Sequence, residues 1–181
     1  MVSRKYLKDY RLEEQIGGDG RTRTIAVYIG GDYRLFPDFR EGEKRRILLL
    51  SVLSGFFYIL ALIPVTGAAR LTYVILPFVC SMLPVSVMMV YSVSLYRIKG
   101  VMKRKQAEQI VNRLPAGAAA ASILTAIAFI AFIITMIIKW ESLVAGDIIF
   151  SVLAVLISTA SAYVLIKCHN MKAITPDTEA K

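Results

Sequence analysis

The sequence predicts an all-α membrane protein, with four transmembrane helices in two antiparallel hairpins and a small cytoplasmic β-meander at the N-terminus. Three observations predict it. The chain is 56% hydrophobic with mean hydropathy +0.59, too apolar for an ordinary soluble domain. Its apolar residues are gathered into four long runs. Basic residues flank those runs almost entirely on one side, the distribution that sets membrane orientation.

Residues 1–46 are polar and read as a separate module. Three β-prone runs, Tyr10–Ile16, Thr22–Ile29 and Tyr33–Phe36, are separated by Gly17-Gly18-Asp19-Gly20 and Gly30-Gly31-Asp32. Glycine and aspartate accept the positive φ of tight hairpin turns, so a three-stranded antiparallel meander is expected. In the second run Ile25, Val27 and Ile29 alternate with Thr24, Ala26 and Tyr28, the period of a strand. Asp9-Tyr10-Arg11-Leu12 recurs as Asp32-Tyr33-Arg34-Leu35, an echo that shared turn chemistry explains. These glycines are no phosphate cradle, because no Gly-Lys-Ser/Thr follows them. The few apolar residues of the module can hardly offset the entropy of ordering it, so the strands are expected to be completed by docking. Ile25, Val27, Ile29 and Leu35 are the residues expected to meet a partner, either the basic loop of this chain or another protein.

Residues 47–96 form the first hairpin. Ile47–Thr66 has no ionisable side chain and follows the basic anchor Lys44-Arg45-Arg46. Its length matches roughly 30 Å of hydrocarbon. Residues 67–70 allow only a tight return into Leu71–Tyr96. That second segment holds Pro77 and Pro84, each of which removes a helical N–H and frees the carbonyl four residues earlier, so a kink is expected between them.

Residues 97–115 are the basic loop, with six Lys or Arg against Glu108. Val101–Leu114 is expected to form a helix lying near the membrane plane, with Lys103, Arg104 and Lys105 on anionic headgroups. Pro115 then suits the first position of a new helix. The second hairpin, residues 116–166, holds Ala116–Ile138, which opens on small residues from Gly117 to Ser122, and Ile148–Ile166, where Ala154, Ser158 and Ala162 recur every four residues. Small faces of this kind let two helices approach closely. Between the two segments Trp140 suits the interface, and Asp147 reads as the N-cap of the fourth helix. The tail, 167–181, is polar and expected to be loosely ordered.

With four spans, the N-terminal module, the basic loop and the tail share one side and hold twenty of the 22 basic residues; Arg70 and Lys139 are left opposite. The positive-inside rule makes that side cytoplasmic. A cell-membrane location with both termini inside is therefore expected. The basic surplus is read as a topology signal, and no nucleic-acid partner is expected.

A single histidine, His169, excludes a His-Glu-x-x-His zinc site, and Cys80 and Cys168 form no Cys-x-x-Cys pair. The span interiors hold no acid, which weakens intramembrane acid catalysis and ion coupling. No catalytic, metal or cofactor residues are assigned. The expectation is a non-enzymatic accessory or interaction protein with the lipid bilayer and a cytoplasmic protein, or a second copy, as partners. The alternative is a subunit of an oligomeric transporter or channel, with the kinked second helix lining a path.

Overall fold

The computed structural model describes residues 9–16, 22–29, 31–36, 38–63, 71–98, 100–138 and 145–174. It is mostly helical, with two small sheets at one end. The elements in order are β1 (Tyr10–Ile16), β2 (Thr22–Tyr28), β3 (Asp32–Phe36), α1 (Glu41–Leu62), α2 (Thr72–Cys80), α3 (Met82–Arg97), β4 (Met102–Lys103), α4 (Arg104–Ile138), α5 (Ala145–Cys168) and β5 (Lys172–Ile174). Four helical stretches are long and apolar enough to cross a membrane, namely α1, α2–α3 taken together, α4 and α5.

The four stretches form a closed ring. The helix α1 packs on α3 and α5, and α4 packs on α3 and α5 from the opposite corner. The α4–α5 seam is the most extensive, as the small-residue faces predict. Ser122 and Ser158 exchange hydroxyl-to-carbonyl hydrogen bonds across it, each at 3.3 Å. Such a pair needs close backbones, which Ala118, Ala121 and Ala154 permit by being small and fully buried.

One aromatic from each long stretch meets in the centre. Tyr58 of α1 stacks on Phe78 of α2 at 4.7 Å between ring centroids, and Phe150 of α5 contacts both Phe78 (5.0 Å) and Phe132 of α4 (5.5 Å). Around this cluster lie Val74, Val85, Ala128 and Ile157. A second core, with Ile47, Met88, Leu95, Leu114 and Val164, occupies the end near the sheets.

The second stretch is broken at Ser81, between Pro77 and Pro84. Pro84 has no N–H to give the Cys80 carbonyl, so the helical ladder lapses there. The Ser81 N–H bonds both the Pro77 and Phe78 carbonyls, at 3.1 and 3.0 Å. Hydroxyls supply further donors: Ser81 Oγ reaches the Phe78 carbonyl at 2.6 Å, and the Tyr58 hydroxyl reaches it at 2.9 Å. Below the break α3 packs on both α1 and α4, whereas α2 above it packs mainly on α4.

Several sequence expectations are corrected. The N-terminal strands do not form one meander. β1 and β2 pair as a two-stranded hairpin, and β3 leaves them to sit between β4 and β5 in the order β4-β3-β5, antiparallel throughout. The tail, expected to be loose, contributes β5. No in-plane helix spans Val101–Leu114: Met102–Lys103 is a strand, and from Arg104 the chain runs as one helix to Ile138. Pro115 therefore lies inside α4 and does not start a helix. The break that does occur is at Gly100, whose φ of +135° only glycine adopts readily. The helix α1 begins at Glu41, so Lys44-Arg45-Arg46 is helical. Asp147 lies in the first turn of α5, after Ala145 and Gly146, and is not its N-cap; a carboxylate there still meets the positive end of the helix dipole. The expected connections at 67–70 and 139–144 lie outside the described residues.

Candidate functional site

Three segments distant in sequence converge at the strand-bearing end, and their pairing explains why. β3 offers two edges. Asp32 and Tyr33 pair with Lys103 and Met102 on one side, and Arg34, Leu35 and Phe36 pair with Ile174, Ala173 and Lys172 on the other. The loop expected to touch lipid and the tail are thus tied to the N-terminal module. Met102 of β4 is buried, and Phe39 and Met171 join the lower core, against which Leu35 packs.

Several charges of this end are paired. Arg104 bonds Glu108 at 2.9 Å and lies 3.7 Å from Asp9; Lys103 stands opposite Asp32 in β3. The two aspartates of the sequence echo therefore face successive residues of the basic loop. Lys167 lies 3.7 Å from Glu43, Arg113 bonds the Tyr91 hydroxyl at 2.9 Å and stacks over its ring, and Lys44 Nζ bonds the Ile98 carbonyl at 3.1 Å at the end of α3. Several arginines of this end, Arg34 and Arg46 among them, make no hydrogen bond or ion pair to a described residue, and the same holds for Arg45 and Arg97.

Both of these arginines line one cleft of about 630 Å³ between the first turn of α1 and the last turn of α3, with Lys44, Tyr96 and Glu41. A neighbouring cleft of about 480 Å³ opens between α3 and α4; Arg97 and Ile98 line it too. These shared lining residues place both hollows around the α3–β4 turn.

The sequence-predicted residues are distributed as follows. Lys103 is in β4, Arg104 opens α4 and Lys105 follows it, so they stand at a strand–helix junction among acids and not on a membrane-plane helix. Pro77 and Pro84 flank the break at Ser81. Ile25 and Val27 stand opposite Glu13 and Arg11 in the β1–β2 hairpin, and the Ile29 N–H bonds the Asp9 carbonyl at 2.9 Å. Of that set, Leu35 packs against the lower core of the body. Sequence reasoning missed the cleft. Lys44-Arg45-Arg46 and Arg97 are visible as flanking charge, but only the packing of α1 on α3 brings Arg45 and Arg97 to one hollow.

Among the described residues no three His, Cys, Asp or Glu side chains stand close enough to hold a metal ion. Comparison with family models, curated proteins and solved structures gives no match to this chain.

Proposed function

We propose that this protein is a multi-pass membrane protein of accessory type, non-enzymatic, whose N-terminal hairpin recruits a cytoplasmic protein. The membrane reading rests on an inverted surface. Large apolar side chains such as Leu49, Phe56, Leu83, Val90, Ile130 and Ile148 point outward, while Ser51, Ser54, Ser92, Thr125 and Thr135 are buried. A water-soluble bundle carries the opposite pattern. The hydrogen-bonding of β3 to both β4 and β5 supports a common side for the N-terminal module, the basic loop and the tail, and the charge split makes that side cytoplasmic.

The recruiting role rests on the β1–β2 hairpin. A two-stranded ribbon is marginal in water by itself. Here Leu12 is 72% exposed, with Val27 and Ile29 also exposed on the ribbon, and its outer edges carry no further strand among the described residues. A ribbon with exposed apolar side chains and open edges suits pairing with a strand of another protein. The aromatic cluster of Tyr58, Phe78, Phe132 and Phe150 closes the middle of the bundle, so a path through a single chain is disfavoured.

Hydrogen exchange on residues 10–28 tests the role, in purified protein and in native membranes. Protection gained only in native membranes is expected; rapid exchange in both would remove the recruiting role. Reporters test the orientation. One fused after Lys181 is expected to be active only in the cytoplasm, and one inserted at 139–142 only outside.

A further inference from the structure

We propose that the cleft between the first turn of α1 and the last turn of α3 binds the phosphate of an anionic phospholipid, held by Arg45 and Arg97 with Lys44 beside them. The inference rests on the membrane reading above and adds a specific ligand to it.

Charge is the first argument. The cleft gathers Lys44, Arg45 and Arg97 against the single acid Glu41. Elsewhere at this end Arg104, Lys167 and Arg113 are taken up by Glu108 and Asp9, Glu43 and Tyr91. Arg45 and Arg97 have no such partner among the described residues, which is true of Arg34 and Arg46 as well, but these two line one hollow together. Two planar guanidinium forks lining one cleft match a phosphate, which accepts bidentate hydrogen bonds.

Position is the second. Arg97 is the last residue of α3, and Arg45 comes two residues before Ile47, the first residue of the apolar run. The cleft therefore stands where the helices leave hydrocarbon, the depth of lipid phosphates, and Tyr96 on its wall is an aromatic suited to that level. Directly along α1 from Arg45 at helical spacing come Leu49, Leu53 and Phe56, all exposed. An acyl chain below a phosphate held by Arg45 has this apolar track to lie on. A soluble phosphate has no use for it, which decides for a lipid over a free anion.

The relocation has a structural reason. Lys103 lies in β4 and Arg104 and Lys105 open α4 beside the sheet, with Arg104 held by Glu108 and Asp9, whereas Arg45 and Arg97 line the cleft between α1 and α3.

The test uses the full chain in nanodiscs of phosphatidylcholine containing spin-labelled phosphatidylglycerol or spin-labelled phosphatidylcholine. The motionally restricted fraction of each label reports lipid held at the protein. A preference for phosphatidylglycerol is expected, falling about fivefold for each of Arg45→Gln and Arg97→Gln. Arg97→Lys, which keeps the charge but loses the fork, should retain only part of it, and Arg46→Gln, on an exposed residue outside the cleft, should leave it unchanged. Equal loss from Arg46→Gln and from the cleft variants would overturn the site in favour of diffuse surface charge. Absence of any headgroup preference would overturn it outright, and displacement by water-soluble glycerol phosphate would overturn its lipid identity. A restricted component seen with either label would keep the membrane reading intact even then; with neither label restricted, that reading itself fails.

Discussion

At Gly117 the α4 backbone passes so near α3 that a Cβ would lie 3.1 Å from Val87 Cγ1, 3.2 Å from the Met88 nitrogen and 3.2 Å from the Pro84 carbonyl oxygen. Two of those atoms are backbone and cannot rotate away. Gly117→Val is therefore expected to cost about 1–3 kcal/mol, the usual range for forcing volume into a packed core. Unfolding in mixed micelles measures it, with Gly42→Ala as the control, since nothing lies within 4 Å of a Cβ there. Hydroxyl pairs act at the same scale. Ser51 and Ser92 share a hydrogen bond of 2.7 Å between α1 and α3, both fully buried. Interhelical bonds of this kind contribute about 0.6 kcal/mol on average in lipid, so Ser92→Ala should be a mild change on the same assay.

The break in the second stretch belongs to the element scale. The Phe78 carbonyl accepts from the Tyr58 hydroxyl, the Ser81 hydroxyl and the Ser81 N–H together. Removing one donor leaves the others, whereas removing both hydroxyls leaves the carbonyl with a single bent partner. Tyr58→Phe and Ser81→Ala should then be non-additive in a double-mutant cycle, with a coupling of about 0.5–3 kcal/mol. Additive losses would show that the two hydroxyls do not share the carbonyl. The strand β5 offers a second test at this scale. Truncation after Met171 removes the partner of Arg34, Leu35 and Phe36, and amide exchange at residues 34–36 should rise while that of α4 stays slow.

For the whole molecule, the sheet that joins β3 to β4 and β5 makes a prediction about sidedness that owes nothing to charge. Leu35 and Ala173 are register partners in an antiparallel pair. Cysteines at 35 and 173, in a background with Cys80 and Cys168 replaced by serine and alanine, should cross-link within one chain, because Cα atoms of such pairs lie within disulfide reach. Failure to cross-link in intact membranes would separate the N-terminal module from the tail and undo the common side. The aromatic cluster works at this scale as well. It takes one ring from each long stretch, so all four must be present before the centre is filled.

The number of long helices, the extents of the second and fourth to within a few residues and the small-residue seam between the last two were legible in the sequence. Each depends on local composition: twenty or so consecutive apolar residues, prolines seven apart, and alanines and serines at helical spacing. The proline pair at 77 and 84 likewise marked the stretch where the ladder lapses, because a missing N–H is a covalent fact. What the sequence could not decide was which strand pairs with which. β3 has the same alternation whether it extends the β1–β2 hairpin or inserts between Met102–Lys103 and Lys172–Ile174, and strands of two and three residues carry no period to read. Nor could it tell that Pro115 continues a helix, since the same residue suits a helix start, and α4 runs on through it packed on α3 and α5. The cleft holding Arg45 and Arg97 is of the same kind: 52 residues part them in the chain, and only the packing of α1 on α3 closes that distance.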